Sequence, residues 1–138
     1  MSYSISSDKS KLDIAVIHDF LCNDSYWAKG RSLDKVKESI ENSMCFGIYD
    51  DADNMLGFAR VVTDKVAFAY LMDVFVLKEH RGKGLGKALI GHIVGHPELQ
   101  VKFSLLGTVH AHDLYKSFGY SELQHTERYL AIRNENCY

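Results

Sequence analysis

Proline, paired cysteines and long apolar runs are all scarce in this sequence. Pro97 is the single proline, so the chain contains no Pro-rich spacer between domains. Cys22, Cys45 and Cys137 are odd in number and include no CxxC pair, which argues against both a disulfide framework and a zinc knuckle. We therefore expect free, reduced thiols.

Membrane-spanning and targeting patterns are missing as well. No apolar run approaches the roughly 18 residues that a bilayer-spanning helix requires, and residues 1–13 lack the basic segment and apolar stretch of a secretory signal. A formal net charge of -2 provides no general attraction to nucleic acid or to an anionic membrane. These absences predict a cytoplasmic protein with no nucleic-acid or membrane partner.

The apolar periodicity predicts one α/β layered domain over residues 1–138. Helices are predicted at 32–43, with Ser32 as N-cap, and at 84–96 and 111–119. Strands are predicted at 12–17, 44–50, 55–64, 69–77, 101–109 and 128–133. The order predicts a mixed, mostly antiparallel central sheet with a parallel strand-loop-helix-strand crossover in its middle.

The stretch EHRGKGLGKALI, residues 79–90, has three glycines between an apolar strand and an amphipathic helix. Glycine destabilises a chain locally, so this pattern indicates a need for bare backbone. A loop that becomes a helix N-terminus favours anions, because its first N–H groups lack helical partners. With Arg81, Lys83 and Lys87 alongside, the loop is predicted to bind a phosphate group.

Two common nucleotide motifs do not fit this loop. The Walker pattern GxxxxGK[ST] fails because position 81 is not glycine and Ala88 follows Lys87. The dinucleotide pattern GxGxxG fails because Lys87 stands where its third glycine belongs. A nucleotide-phosphate binder is thus a weaker alternative, which predicts that ATP would compete for the site.

The segment Arg81-Gly82-Lys83-Gly84-Leu85-Gly86 resembles the R/Q-x-x-G-x-G/A pyrophosphate-binding motif of the GNAT superfamily. LYKSFGY, residues 114–120, resembles the L-Y-x-x-x-G-F/Y element of the same superfamily. The resemblance implies a small, single-domain, bacterial-type N-acetyltransferase that uses acetyl-CoA as co-substrate. It also implies direct transfer of the acetyl group to a primary amine, and dimers are common in the family.

The resemblance implies a set of acetyl-CoA contacts along the strand, the loop and the next strand. The pantetheine arm would lie against the strand before the loop and the pyrophosphate on the loop backbone. Thr108 stands where many relatives have an asparagine, and it keeps a hydroxyl without the paired donor and acceptor of an amide. The implied contacts are Val74, Phe75, Val76, Arg81, Gly82, Lys83, Gly84, Leu85, Gly86, Lys87 and Thr108.

Acetyl transfer needs a proton donor for the departing thiolate and a base for the amine. By resemblance, Tyr115 is the predicted donor; its alternative role is to pack on the sheet. Asp73 interrupts an apolar strand and is the candidate base, because burial raises a carboxyl pKa where desolvation dominates. The alternative is that Asp73 hydrogen-bonds the backbone. Some members of the family use an acidic residue on the strand after the helix as the base. This sequence has Phe103 at the corresponding position, so that route is closed.

The acceptor pocket is predicted in the polar and aromatic segment 25–32. Tyr26 and Trp27 would form its wall and Arg31 would hold a substrate carboxylate. The alternatives are that Trp27 covers the sheet and that Arg31 is a solvated charge. If Arg31 and Arg60 both face the pocket, an acidic amine is favoured, but the small-molecule or peptide acceptor stays unidentified.

No metal site is expected. His92 and His96 are four positions apart, but the pair lacks the glutamate of HExxH. The rival to an enzyme is a non-catalytic acyl-CoA sensor of the same fold, which would bind the thioester without turnover.

Overall fold

The computed structural model describes residues 2–138, which form one five-stranded sheet with helices on both faces. The strands follow one another across the sheet in chain order. They are β1 (Ser4–Ser6), β2 (Met44–Tyr49), β3 (Met55–Thr63), β4 (Phe68–Val76) and β5 (Phe103–Leu106). Strands β1 to β4 pair antiparallel, whereas β4 and β5 pair in parallel. The predicted mixed α/β fold is therefore confirmed.

Four α-helices connect and cover these strands. They are α1 (Ile14–Asp19), α2 (Leu33–Glu41), α3 (Leu85–Val94) and α4 (His112–Lys116). The helix predicted at 32–43 is confirmed, and Ser32 is its N-cap, accepting a hydrogen bond from the backbone N–H of Lys35 at 3.3 Å. Within residues 2–138, none of the helices combines the length and apolar character needed to cross a bilayer.

The sheet buries both of its faces, because alternate side chains of a strand point to opposite sides. On one face, Phe46 and Ile48 of β2 pack with Leu89 of α3. On the other face, Cys45 and Tyr49 of the same strand pack in the cluster that contains helices α1 and α2. The crossover helix α3 and the helix pair α1–α2 therefore lie on opposite sides of the sheet.

The strand predicted at 12–17 is wrong, because these residues enter helix α1. Asp13 is the helix N-cap and its carboxylate accepts a hydrogen bond from the backbone N–H of Val16 at 3.2 Å. The β-branched run favours a strand locally, but the helix buries Ile17 completely against the sheet. The first strand is β1, whose Ile5 pairs with Ile48.

The strand predicted at 128–133 is also wrong. A 3₁₀ turn covers Thr126–Arg128, and residues 129–133 belong to no strand. Leu130 and Ile132 are completely exposed, at 98% and 103% of their full surface. A strand needs a neighbour for its backbone hydrogen bonds, and this segment has none among the described residues.

Candidate active site

Strands β4 and β5 separate beyond their paired region, and the gap between them is here called the cleft. They pair from Phe68 opposite Phe103 to Leu71 opposite Leu106. Strand β4 then continues to Val76 with no partner on that side among residues 2–138. Its free edge includes residues 74–76, where cofactor contact is predicted. An unpaired strand edge offers N–H and C=O groups to an extended ligand.

Strand β4 also contains a bulge next to this free edge. The register between β3 and β4 shifts between Phe58 and Arg60. One residue of β3 there lies opposite two residues of β4, Asp73 and Val74, so β4 has one extra residue. Asp73 has φ of 54°, in the left-handed region that residues other than glycine rarely adopt. Bulges bend a strand and re-aim its side chains. Here the bulge directs the Asp73 carboxylate to the face of the sheet that α1 and α2 cover.

Three donors surround the Asp73 carboxylate. Its Oδ2 accepts hydrogen bonds from Arg31 Nη1 at 2.7 Å and from Arg60 Nε at 2.8 Å. Its Oδ1 accepts one from Trp27 Nε1 at 2.9 Å. The three charged residues are all buried, with Arg31 only 2% exposed. The cluster therefore brings together three predicted site residues, Trp27, Arg31 and Asp73, and has one more positive than negative charge.

These arginines control the protonation of Asp73. Burial acts to raise the pKa of its carboxyl, but the charge of Arg60 and the hydrogen bond and charge of Arg31 outweigh burial, so the pKa lies below the usual 3.8. The expectation from the sequence that burial raises the pKa of Asp73 is therefore wrong. The carboxylate is ionised at neutral pH and is a weak proton acceptor. The assignment of Asp73 as the base stays a prediction.

Arg31 lies under an aromatic ring that the sequence did not indicate. Its guanidinium carbon is 4.4 Å from the centroid of the Tyr138 ring, and its Nη2 donates to the Tyr138 hydroxyl at 2.8 Å. Its Nε is buried and has no hydrogen-bond partner among the described residues. The alternative that Arg31 is a solvated charge is wrong. No local pattern could have indicated Tyr138, because it is 107 positions from Arg31.

The glycine-rich loop leads into helix α3 with its backbone amides free. Gly82 and Gly84 have φ of 80° and 79°, which glycine adopts without strain. Gly84 is the helix N-cap and provides no side-chain cap. Within residues 2–138, the backbone N–H groups of residues 82–87 donate to no protein acceptor. Six consecutive free donors exceed the four that any helix leaves at its N-terminus.

One charged side chain of the loop is hydrogen-bonded to the protein, and two others are exposed to solvent. Arg81 Nε donates to the backbone carbonyl of Val76 at 3.0 Å, which ties the loop to the end of β4. Lys83 and Lys87 are exposed. The first turn of α3 packs against the same strand end, since a Cβ added at Gly86 would lie 3.8 Å from Val76 Cγ2. The loop and the free edge of β4 are therefore held side by side.

Tyr115 lies on α4 with most of its side chain buried. Its ring is 5.9 Å from that of Tyr120 in an edge-to-face contact, which agrees with the packing role considered above. Its hydroxyl forms no hydrogen bond within the described part of the chain. Burial, followed by the neighbouring Tyr120 and Tyr26, raises the pKa of Tyr115 to about 12. The hydroxyl is therefore protonated at neutral pH and free to donate.

The segment before α2 closes over the loop between β5 and α4. The hydroxyl of Tyr26 accepts a hydrogen bond from the backbone N–H of Val109 at 3.2 Å, and its ring meets Trp27 edge-on at 5.0 Å. Thr108 uses its hydroxyl to accept from the Ala111 N–H at 3.3 Å. Tyr26 and Trp27 keep part of their surface exposed, and Tyr26 lies close enough to Tyr115 to contribute to the raised pKa of its hydroxyl. The described residues contain no group of three His, Cys, Asp or Glu that could hold a metal ion.

Comparison with known proteins agrees with this geometry. The family described as acetyltransferase (GNAT) domain matches residues 41–122, from the end of α2 past α4. A Gibberella zeae protein named as an acetyltransferase is 29% identical over 139 residues, which cover 85% of this chain and 78% of that protein.

Solved structures show the same fold. A GNAT-family protein from Xanthomonas campestris pv. campestris is 40% identical and superimposes with a TM-score of 0.94, covering 97% of this chain and 94% of that one. Glucosamine-6-phosphate N-acetyltransferase from Arabidopsis thaliana, at 16% identity and a TM-score of 0.64, covers 97% of this chain and 98% of its own, a likeness of fold alone. The chain therefore belongs to the GNAT family of N-acetyltransferases.

Proposed function

We propose that this protein binds acetyl-CoA and transfers its acetyl group directly to a primary amine. The observation that carries the proposal is the run of free backbone N–H groups at residues 82–87, at the N-terminus of α3. Free donors and the positive end of a helix dipole together stabilise bound phosphate oxygens. The diphosphate of coenzyme A is negatively charged, and it therefore complements the partial positive charge of these N–H groups.

The space around the loop fits a diphosphate. A Cβ added at Gly82 or Gly84 would meet no atom within 4 Å, so the loop faces open space. Lys83 and Lys87 add positive charge beside it, and Lys87 lies in the first turn of α3. Exposed cations attract the anion, while the backbone amides hold its oxygens.

The free edge of β4 fits the pantetheine arm. This arm contains two amide groups, which can exchange hydrogen bonds with the unpaired backbone of residues 72–76. Val74 and Val76 are partly exposed and belong to the apolar layer around α3. Their side chains would keep water from the thioester, which lies at the end of the arm.

The acceptor amine reacts in its neutral form. Its nitrogen attacks the thioester carbonyl carbon, a C–N bond forms and the C–S bond breaks. The Tyr115 hydroxyl donates its proton to the departing thiolate, and the proton lost by the new amide nitrogen passes to water. A tyrosine whose pKa is raised to about 12 is protonated across the physiological range, as an acid catalyst must be.

Asp73 acts in this proposal as a positioning residue. Its ionised carboxylate holds Trp27 and Arg31, at 2.9 and 2.7 Å, on the side of the cleft where the acceptor would enter. The two arginines would attract a substrate carboxylate or phosphate, because the Asp73 cluster has an excess positive charge. An acceptor amine that also has an acidic group is therefore favoured, whether it belongs to a small molecule or to a peptide.

A thiol-release assay over a panel of amines tests the proposed chemistry. The Tyr115→Phe variant is expected to retain coenzyme A binding and to lose about 10²–10⁴-fold in kcat, the usual contribution of one acid catalyst. Tyr120→Phe is the matched control, since it removes a neighbouring hydroxyl. Coenzyme A binding without turnover on any amine would support the non-catalytic sensor instead.

Calorimetric titration with coenzyme A tests the diphosphate site separately. Lys87→Glu is expected to weaken binding by at least about tenfold, because it places a negative charge at the helix N-terminus. Lys37→Glu on the exposed face of α2 is the control and should bind as the wild type does. Equal affinity of the two variants, or comparable competition by ATP, would contradict a site built for coenzyme A.

A further inference from the structure

Arg31 has one hydrogen-bond donor that the protein does not use. Its Nη1 donates to Asp73 and its Nη2 to the Tyr138 hydroxyl, whereas its Nε is buried without a partner among the described residues. Arg60, the other arginine that contacts Asp73, donates through all three of its nitrogens. A buried donor without an acceptor is unfavourable, so most such groups in proteins are paired. The Nε–H of Arg31 is therefore available to an acceptor on a ligand.

The free donor belongs to an edge of the guanidinium that suits a carboxylate. The Nε–H of an arginine and one N–H of its Nη2 point in the same direction, and a carboxylate binds to this fork with both of its oxygens. The single hydroxyl oxygen of Tyr138 accepts from Nη2 alone. A carboxylate on the same edge would accept from Nη2 and from Nε, so it fits the donors of Arg31 better than the tyrosine does.

The charge of the Asp73 cluster also favours a carboxylate. Arg31 and Arg60 both form ion pairs with the one carboxylate of Asp73, which leaves one positive charge in excess. A tyrosine hydroxyl is a neutral acceptor at pH 7 and does not balance that charge. One more carboxylate would balance it, whereas a phosphate monoester has a charge of about −1.5 to −2. The excess charge therefore matches a ligand with a single carboxylate.

Tyr138 covers Arg31 but has few attachments of its own. It is 53% exposed, whereas Arg31 beneath it is only 2% exposed. Within the described part of the chain, the hydrogen bond from Arg31 is the single one that joins residues 130–138 to the rest of the protein. The ion pair of Arg133 with Glu135 lies inside this segment. Segments with few buried contacts open at a low cost in free energy, so a ligand can displace Tyr138.

The position of Arg31 is linked to the cleft by aromatic side chains. Trp27 Nε1 donates to the same Asp73 carboxylate that Arg31 binds, and the ring of Trp27 meets that of Tyr26 edge-on at 5.0 Å. The Tyr26 hydroxyl accepts from the backbone N–H of Val109, in the loop before α4. An acceptor anchored on Arg31 can therefore extend along Trp27 and Tyr26 towards the cleft.

We propose that Tyr138 covers a carboxylate site on Arg31, and that an acceptor amine with a carboxylate group displaces the tyrosine when it binds. This inference rests on the proposed function, because it names the class of acceptor that the acetyl transfer uses. Arg31 holds the carboxylate through Nε and Nη2, and the amine end of the acceptor lies in the cleft. An uncharged amine gains too little from Arg31 to displace Tyr138, since a ligand shifts an equilibrium only by its difference in affinity for the two states. Tyr138 thus selects for acidic amines.

Nuclear magnetic resonance with butyrate tests the site without acetyl transfer, because butyrate has a carboxylate and no amine. Butyrate is expected to shift the Nε–H signal of Arg31 and the ring signals of Tyr138. Butyramide has the same carbon chain without the charge and should shift neither signal. Signals that do not respond to butyrate would overturn the proposal. A larger response to inorganic phosphate at the same concentration would contradict the choice of a carboxylate.

The Tyr138→Ala variant tests whether the tyrosine competes with the ligand. Its removal should lower the Kd of butyrate by at least about tenfold, because an open state that competes with a closed one is commonly populated at about 0.1–10%. Tyr3→Ala, at a tyrosine that is 47% exposed, is the control and should bind butyrate as the wild type does. Circular dichroism verifies that both variants are folded. Weaker or unchanged binding by folded Tyr138→Ala would overturn the proposed competition.

Thiol release with matched acceptors separates this inference from the proposed function. Each ω-amino acid of a series is compared with its own carboxamide at saturating acetyl-CoA. The acid should have a KM lower by about tenfold or more, and Tyr138→Ala should lower that KM further without changing kcat. Equal KM values for acid and amide would overturn the carboxylate site and leave acetyl transfer intact. No turnover on any amine, with the response to butyrate preserved, would instead contradict acetyl transfer and support the carboxylate site on Arg31.

Discussion

The hydroxyl of Tyr138 accepts a hydrogen bond from Nη2 of Arg31 at 2.8 Å, across 107 positions of sequence. The same guanidinium binds Asp73 through Nη1 and lies 4.4 Å from the Tyr138 ring centroid. The side chain of Tyr138, which lies outside the sheet, thus covers Arg31 in the positively charged cluster around Asp73. Access to Arg31 depends on where that side chain lies.

Replacing Tyr138 by Phe should destabilise the protein by about 1–3 kcal/mol, because a buried charged donor on Arg31 loses its acceptor. Tyr138→Ala should cost about 0.5–2 kcal/mol more, since the cation–π contact is lost too. Urea unfolding followed by circular dichroism measures both. Tyr3→Phe, at an exposed tyrosine, is the control. Equal stability of Tyr138→Phe and the wild type would show that this hydrogen bond contributes nothing.

Asp73→Asn should reduce the free energy of unfolding at pH 7 by about 3–5 kcal/mol, because two buried arginines lose their counter-charge. The folded-state pKa of Asp73 lies below its usual 3.8. The carboxylate therefore contributes stability above that value and loses it as the pH falls through the lower folded-state pKa.

The stability difference between wild type and Asp73→Asn should accordingly shrink below about pH 4. Urea unfolding at pH values from 3 to 7 measures it, with the exposed Asp51→Asn as control. A difference that is constant from pH 3 to pH 7 would mean that folding does not change the pKa of Asp73 and would contradict the lowered value. A wild-type advantage that instead grows as the pH falls would show a raised pKa and would favour Asp73 as the base.

The alkaline side of the pH–rate profile tests the acid. A tyrosine with pKa of about 12 keeps its proton up to pH 10 and beyond, so kcat should not fall between pH 8 and 10. The measurement is initial-rate kinetics at saturating acetyl-CoA and amine. A half-maximal loss near pH 10, the ordinary tyrosine value, would show that burial does not raise the pKa of Tyr115.

The glycines of the loop should differ in their tolerance of alanine. Gly84→Ala forces a Cβ into a left-handed backbone conformation with φ of 79° and should cost roughly 1–2 kcal/mol. Gly86→Ala should be neutral or stabilise by up to about 1 kcal/mol, because Gly86 lies in the first turn of α3 and its added Cβ makes an ordinary contact. Chemical unfolding of both variants measures this. A cost for Gly86→Ala equal to that of Gly84→Ala would contradict the assigned backbone conformations.

Local signals predicted much of the fold correctly. The glycine spacing indicated the loop before α3, and Ser32 indicated the start of α2, because turn and cap geometry depends on a few neighbouring residues. Continuous apolar runs likewise indicated β2, β3 and β4. The segment at 12–17 misled because its β-branched residues favour a strand, while the cap at Asp13 and the burial of Ile17 select a helix.

The sequence by itself indicated the family, the crossover and the backbone of the glycine-rich loop, since each depends on residues close together in the chain. Only the tertiary structure decided that Asp73 meets Arg31, 42 positions away, and that two arginines lower its pKa instead of burial raising it. It also decided that residues 128–133 form no strand. Both outcomes depend on which distant groups the sheet register and the bulge bring into contact. A local sequence pattern does not specify such contacts.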